Sequence, residues 1–146
     1  TEIVQLLLVK GADKDALDNS NCTPLYVAAS RGQVAAALTL LAAGADVSLR
    51  CGSSKETVVH EAAQEGHVGI VRAAIEHGAG VDSIDASQHT PLHGAARFNR
   101  GEAINALLEA GASIEARNVV VCTPLHYAAQ ETNLEALSAL LKHSAD

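Results

Sequence analysis

Methionine and tryptophan are absent from the 146 residues, and aromatic side chains make up only 2% of them: Tyr26, Phe98 and Tyr127. With 48% of residues hydrophobic, any core must be built from Ala, Leu, Val and Ile. That composition suits thin layers of closely stacked helices better than a thick globular interior. Basic residues are scarce as well, 10 Lys and Arg against 17 Asp and Glu, for a formal net charge of -7. A chain of this sign repels a phosphate backbone, whose binding needs clustered Lys and Arg, so nucleic acid is not an expected partner. No apolar run reaches the roughly 18 residues of a membrane-crossing helix, and no charged-then-apolar leader opens the chain. Since no initiating methionine is present, a removed leader stays open.

Catalytic signatures are missing too. There is no Gly-rich phosphate cradle, no G-x-S-x-G and no H-E-x-x-H, and the spacing of Ser, His and Asp singles out no triad. The expectation is a chain that is not an enzyme and needs no cofactor. Cysteine occurs three times. Cys22 and Cys122 hold the same slot three units apart, roughly 30 Å at about 10 Å per helical layer, whereas a disulfide needs Cα atoms within about 7 Å. Cys51 lies in the loop one unit beyond Cys22, and nothing in the spacing fixes their geometry. No structural disulfide is expected, and reduced thiols fit a cytoplasmic or nuclear setting.

What the chain does contain is itself, repeated. Thr23, Thr57, Thr90 and Thr123 are spaced 34, 33 and 33 residues apart, and Gly11, Gly44, Gly78 and Gly111 close the same period, with Ser144 in that slot at the end. A fixed period in this range signals a solenoid of stacked units. The stretch from His89 to Gly111 shows the unit most fully. Thr90 can cap a helix whose first residue is Pro91, because its hydroxyl accepts an early backbone N–H and proline leaves no amide unpaired there. Leu92, Ala95 and Ala96 then form a stripe of small apolar side chains at helical spacing. After a turn over Asn99 to Gly101, a second stripe of Ala103, Ile104, Leu107 and Leu108 ends at Gly111, which supplies a left-handed residue. Each unit is therefore a pair of helices plus a loop, and one continuous core makes the array a single domain.

These residues resemble the ankyrin repeat, whose signature is a period of about 33 residues with T-P-L-H-x-A. Thr123-Pro124-Leu125-His126-Tyr127-Ala128 carries the opening motif whole, and Thr23-Pro24-Leu25-Tyr26-Val27-Ala28 lacks only its histidine. The closing motif stands as Gly11-Ala12-Asp13, Gly44-Ala45-Asp46 and Gly111-Ala112-Ser113. The resemblance covers nearly the whole chain and divides it into a partial repeat over 1–13 and repeats over 14–46, 47–80, 81–113 and 114–146. It implies an all-α solenoid of stacked helix-turn-helix pairs, forming a slightly curved slab from which the loops project as β-hairpin fingers.

Departures from the pattern carry their own expectations. Thr1 to Leu8 matches the second helix of a unit, and the chain stops at Ser144-Ala145-Asp146 inside a closing motif, with neither end reading as a polar cap. The expectation is a fragment of a longer array. Repeat one has an alanine-rich second helix, which predicts a thin interface. The extra residue between Val47 and Glu56 predicts a finger of altered shape, with Cys51-Gly52-Ser53-Ser54 as its flexible turn. Val58 replaces the proline but leaves Thr57 free to cap. Val121 and Thr132 take slots that usually hold glycine; at positive φ a β-branched residue costs about 1–2 kcal/mol, so both turns are expected to be remodelled.

Seven histidines invite a metal reading, and His60, His93 and His126 recur at one slot. Recurrence argues against it, since ligands of one ion each lie about 2 Å from it while equivalent slots are separated by a helix-packing distance of about 8–10 Å. The resemblance implies instead that this histidine bonds within its motif and to the next finger. No metal site is expected, His89 beside Cys122 being the best remaining pair. Glu61 and Glu65 are four apart and read as a solvated helix face.

What remains is recognition. The resemblance implies a protein partner lying along the groove between fingertips and first helices, and a module that is monomeric by itself. The contact candidates are Arg31, Glu56, Glu65, His89, Arg97, Phe98, Val119, Val120 and Glu131. Arg97 and Phe98 beside Val119, Val120 and Val121 are the strongest of them, because interface energy concentrates in aromatic and Arg anchors set in apolar surroundings; the alternative at this site folds Phe98 back onto the stack and packs the valines against a following repeat. The alternative places the chain as the regulatory or targeting segment of a larger enzyme, kinase or channel.

Overall fold

A computed structural model describes residues 2–144. Among them nine helices follow in order: α1 (Glu2–Val9), α2 (Pro24–Ser30), α3 (Val34–Ala42), α4 (Val58–Glu65), α5 (Val68–Glu76), α6 (Pro91–Arg97), α7 (Gly101–Glu109), α8 (Pro124–Gln130) and α9 (Leu134–Ser144). Helices α2, α4, α6 and α8 pack side by side as an inner row, α1, α3, α5, α7 and α9 as an outer row, and each inner helix packs on the outer helix that follows it. Ala145 and Asp146 of the expected closing motif, and Thr1 before the first helix, lie outside the described residues.

The helices start where the threonines stand. Thr57, Thr90 and Thr123 each form a capping box with the histidine three residues on: the threonine side chain receives the third backbone N–H, and the ring Nδ1 of His60, His93 or His126 accepts the threonine N–H at 3.2, 3.1 and 3.2 Å. Where Tyr26 replaces the histidine, only the first half survives, with Thr23 Oγ1 accepting from Tyr26 N at 3.1 Å. Gly44, Gly78 and Gly111 end the outer helices at φ 76, 92 and 90°, a region that L side chains reach only with strain.

Burial follows the two stripes. Leu25, Leu41, Ile70, Leu92, Ile104, Leu107 and Leu140 are buried, and Ala29, Ala62, Ala63, Ala95, Ala96 and Ala103 between them let the helices approach closely. The first interface is thin, as its alanines imply: α1 buries no residue, and Val4 and Leu8 are only partly covered.

Two expectations fail here. Val121 and Thr132 are not remodelled, for they keep φ 65 and 54°. Val121 matches Asn21, Lys55 and Gln88 at the other fingertips (58, 57 and 60°), and Thr132 matches Gly32, Gly66 and Asn99 at the inter-helix turns (62, 79 and 56°). Stacking against neighbours fixes the path of the chain, and the side chain takes the strain that results. The second failure concerns cysteine. Cys22 and Cys51 form a disulfide, with Cα atoms 4.4 Å apart, while Cys122 is free. Equivalent slots are a full layer apart, but Cys22 leaves finger one on its second strand and Cys51 enters finger two on its first. The width of the hairpin offsets the layer spacing and brings the two together.

The fingers themselves are short hairpins, each closed at its base by one backbone bond: Asp18 N–H to Cys22 O at 3.1 Å, Cys51 N–H to Glu56 O at 2.8 Å, Asp85 N–H to His89 O at 2.9 Å, and Asn118 N–H to Cys122 O at 3.2 Å. In fingers one, three and four the side chain of Asp18, Asp85 or Asn118 also accepts two backbone N–H groups of its own turn. Cys51 holds that slot in finger two and its side chain makes no such bonds, so the longer finger has a different shape. Neighbouring fingers are joined in a row, two to three by Ala86 N–H on Ser54 O (2.8 Å) and three to four by Val119 N–H on Ser87 O (3.1 Å). Between one and two the disulfide makes the joint.

Candidate protein-interaction groove

Inner helices floor the groove and fingers wall it. Two histidines of the framework behind it are committed at both nitrogens: His60 Nε2 donates to His89 O and His93 Nε2 to Cys122 O, both at 3.0 Å, while each Nδ1 accepts from its threonine. Burial drives the pKa of both rings below the usual 6.5, so they are neutral, as a ring that accepts at Nδ1 must be. No group of three or more His, Cys, Asp or Glu residues among the described ones is arranged to hold a metal ion. The pair singled out from sequence, His89 and Cys122, does not come together as ligands. His89 is held by Asp85 Oδ2 (3.1 Å) on Nδ1 and by Tyr127 Oη (2.9 Å) and Asn118 Nδ2 (3.0 Å) on Nε2, and Cys122 offers its carbonyl to His93.

Four of the nine contact candidates, Glu56, His89, Arg97 and Phe98, surround one hollow of about 150 Å³ at the centre of the groove. Val120 and Glu131 border a second hollow of about 270 Å³, and Arg97 and Tyr127 line both. Val119 sits on the fourth fingertip beside them, its amide tied to Ser87. The remaining two lie elsewhere. Arg31 borders an apolar recess between α1 and α2, and Glu65 lies by the inter-helix turns near Arg100 and Glu135, although both hold the slot that Phe98 and Glu131 occupy in later repeats.

The apolar end of the groove is open to solvent. Phe98, at the C-cap of α6, is 47% exposed, and Val119, Val120 and Val121 are 56, 67 and 58% exposed, so none of the four serves the core. The Arg97 guanidinium carbon stands 5.7 Å from the centre of the Phe98 ring, a cation–π pairing that sets a positive charge at this end.

The opposite end is acidic and more ordered than its sequence suggested. Glu61 is not a freely solvated charge: the Tyr26 hydroxyl donates to it at 2.7 Å and reaches Glu56 at 3.2 Å. Burial, then the bond to Glu61, pushes the Tyr26 pKa far above the ordinary phenol range, so Tyr26 stays a donor. Glu56 also accepts from Ser54 (3.1 Å) and from Gln64 Nε2. Partial burial pulls Asp85 upward, but the backbone N–H groups of His89 and Ser87 and the His89 ring outweigh it and hold its carboxyl below the usual range.

Sequence reasoning missed Tyr26, Asn118 and Tyr127 as groove residues. The slot shared by Asp18, Asp85 and Asn118 was a usable signal for a side chain that shapes a fingertip. Nothing marked the two tyrosines, because they hold different slots, Tyr26 that of the motif histidine and Tyr127 that of Val27, Glu61 and Gly94.

Comparison with known proteins agrees with this geometry. A family model described as three copies of ankyrin repeats matches residues 1–51 and 45–118, and a single-repeat model matches 122–146. The chain is 38% identical over 81 residues to the Transient receptor potential cation channel subfamily A member 1 homolog of Caenorhabditis elegans, a match covering 56% of this chain and 6% of that protein. It is 40% identical over 65 residues to human Ankyrin repeat and SOCS box protein 16 (44% and 14%), and 39% identical over 59 residues to the BRCA1-associated RING domain protein 1 of Caenorhabditis elegans (40% and 8%). The matched segments thus span a small part of each relative. With repeat models covering nearly all of its length, the chain belongs to the ankyrin repeat family.

Proposed function

We propose that this chain is a protein-protein interaction scaffold whose partner lies along the groove between the fingers and the inner helices. Ankyrin repeats are protein-interaction modules and typically not catalytic, and the observation that carries the reading is the exposure of Phe98, Val119, Val120 and Val121, with Arg97 lining both hollows that Phe98 and Val120 border. Exposed apolar side chains grouped around an aromatic and an arginine are the composition of an interface centre. Arg97, Glu56, His89 and Glu131 would surround that centre, while Arg31 and Glu65 would meet only a partner that reaches past it.

The same reading treats the chain as one array divided at 13, 46, 80 and 113, monomeric by itself and without affinity for nucleic acid, the last on its net charge of -7. No helix among the described residues is long and apolar enough to cross a membrane. A cytoplasmic or nuclear setting completes the proposal. The Cys22–Cys51 pair counts against it, because such pairs persist in oxidising compartments, and the state of that pair in protein purified under thiol-trapping conditions decides the matter.

The test is affinity capture from the native source with wild-type chain, Phe98→Ala and Val120→Asp. Each substitution should weaken capture at least about tenfold and move the melting temperature by only a few degrees. A large fall in melting temperature would instead make these core residues. A second reading, a regulatory or targeting segment of a larger multidomain protein, is favoured by the channel and multidomain names among its relatives and by the small fraction of each that it matches. The sequence of the full-length product decides between a free-standing scaffold and such a segment.

A further inference from the structure

The central hollow is made by a glycine. Val27, Glu61, Gly94 and Tyr127 hold one slot on successive inner helices, and only at Gly94, inside α6, does the floor lose its side chain. Glycine is a poor helix former, so its presence there calls for a spatial reason. A Cβ on Gly94 would stand 2.5 Å from Gln64 Cγ. The gap lets Gln64 lie across the floor and hold the Glu56 carboxylate in the wall of the hollow. What is left open is a cavity of about 150 Å³ between Glu56, Asp85, His89, Arg97, Phe98 and Tyr127.

Its carboxylates are held in place without an ion pair to Lys or Arg among the described residues. Glu56 is oriented by Gln64 and Ser54, Glu61 by Tyr26, and Asp85 by two backbone amides and His89. Gln64, Ser54, Tyr26 and the backbone amides among these donors are neutral groups. Among the described residues no Lys or Arg lies within salt-bridge distance of Glu56, Glu61 or Asp85. The two arginines nearby are turned to other work, Arg50 to the carbonyls of Lys55 and Ile84, and Arg97 to the Phe98 ring. Carboxylates fixed in advance by neutral donors beside aromatic faces form a seat for a cation, since both the charge and the ring quadrupoles attract one.

We propose that the hollow over Gly94 receives one cationic side chain, arginine or lysine, from an extended segment of a protein partner, with Phe98 and Tyr127 flanking its stem. The inference rests on the groove being the partner-binding face and adds the chemistry that this face selects.

The experiment is an NMR titration of the 15N-labelled 146-residue chain with N-acetyl-arginine amide, N-acetyl-lysine amide, the neutral isostere N-acetyl-citrulline amide and N-acetyl-glutamate amide. Both cations should give saturable shifts at the amides of Ser87, His89 and Gly94 at tens of millimolar, and citrulline should bind about tenfold more weakly than arginine. The pair Glu56→Gln with Asp85→Asn should abolish the preference. Asn118 already fills the slot of Asp85 in finger four with the same two backbone bonds, so the fold survives the change. Gly94→Leu, filling the floor, should remove the shifts altogether, with a circular-dichroism melt reporting its fold. Equal response to citrulline, preference for glutamate, shifts centred elsewhere, no saturable shift with either cation, or cation binding indifferent to Glu56→Gln with Asp85→Asn would each overturn the proposal. Capture that still depends on Phe98 and Val120 would then leave the groove reading standing, while capture indifferent to both would remove that reading instead.

Discussion

Replacing Val121 by asparagine should make this protein more stable, although it deletes apolar surface. Val121 sits at φ 65° on the fourth fingertip and is 58% exposed, so it contributes little burial there. A left-handed backbone costs a β-branched L residue about 1–2 kcal/mol, whereas asparagine visits that region readily, as Asn21 does at φ 58° on the first fingertip. The small buried part of the valine side chain, once removed, offsets a fraction of that gain and leaves about 1 kcal/mol. For a chain of this length that corresponds to roughly 3–5 °C in melting temperature. Circular-dichroism melts and urea titrations of wild type and Val121→Asn measure it, with Val120→Asn as control, since Val120 is similarly exposed but lies outside the left-handed region. An unchanged or lower melting temperature for Val121→Asn, or an equal gain for the control, would show that strain at this fingertip is not what limits the turn. If Val121→Asn also weakens partner capture, the valine is retained for contact in spite of its backbone.

Thr132→Gly, at φ 54°, should stabilise for the same reason but by less, because glycine gives back conformational entropy in the unfolded chain; the same melts report it. Cys51→Ser should cost about 3–4 kcal/mol under oxidising conditions, from loop closure across 29 residues, and almost nothing in excess reductant; denaturant midpoints with and without a thiol separate the two. Burial lowers the pKa of His60 and His93 in the folded chain, so the unfolded chain takes up protons first. Their contribution is therefore fully present above the unfolded value of about 6.5 and is lost as pH falls below it. Urea midpoints from about pH 8 down to about pH 5 should decline over the lower half of that range, and His93→Gln, which keeps the capping-box bond, should flatten the slope.

The repeat, its two helices and their ends were legible because each depends on contacts a few residues apart. Thr57 caps α4 and Gly78 ends α5 through neighbours in sequence, so the pattern of types suffices. Phe98 and the valines were legible as candidates for exposure because they stand where the period puts surface residues, but only the structure shows that they do not fold back onto the stack. Illegible were the contacts between units. Tyr26 meets Glu61 across 35 positions and His89 meets Tyr127 across 38, and both depend on how far one layer is shifted against the next.

The sequence by itself therefore determined how many layers there are, what each is made of and which face stays open, since local hydrogen bonding and hydrophobic period are properties of short stretches. Tertiary structure alone decided that Cys22 would meet Cys51, that Val121 and Thr132 would carry strain, and that Gly94 would leave an acid-walled hollow. The width of a finger and the spacing of a layer are lengths set by packing, and whether two side chains meet across them is a matter of fractions of an ångström to a few ångströms that no spacing of letters records.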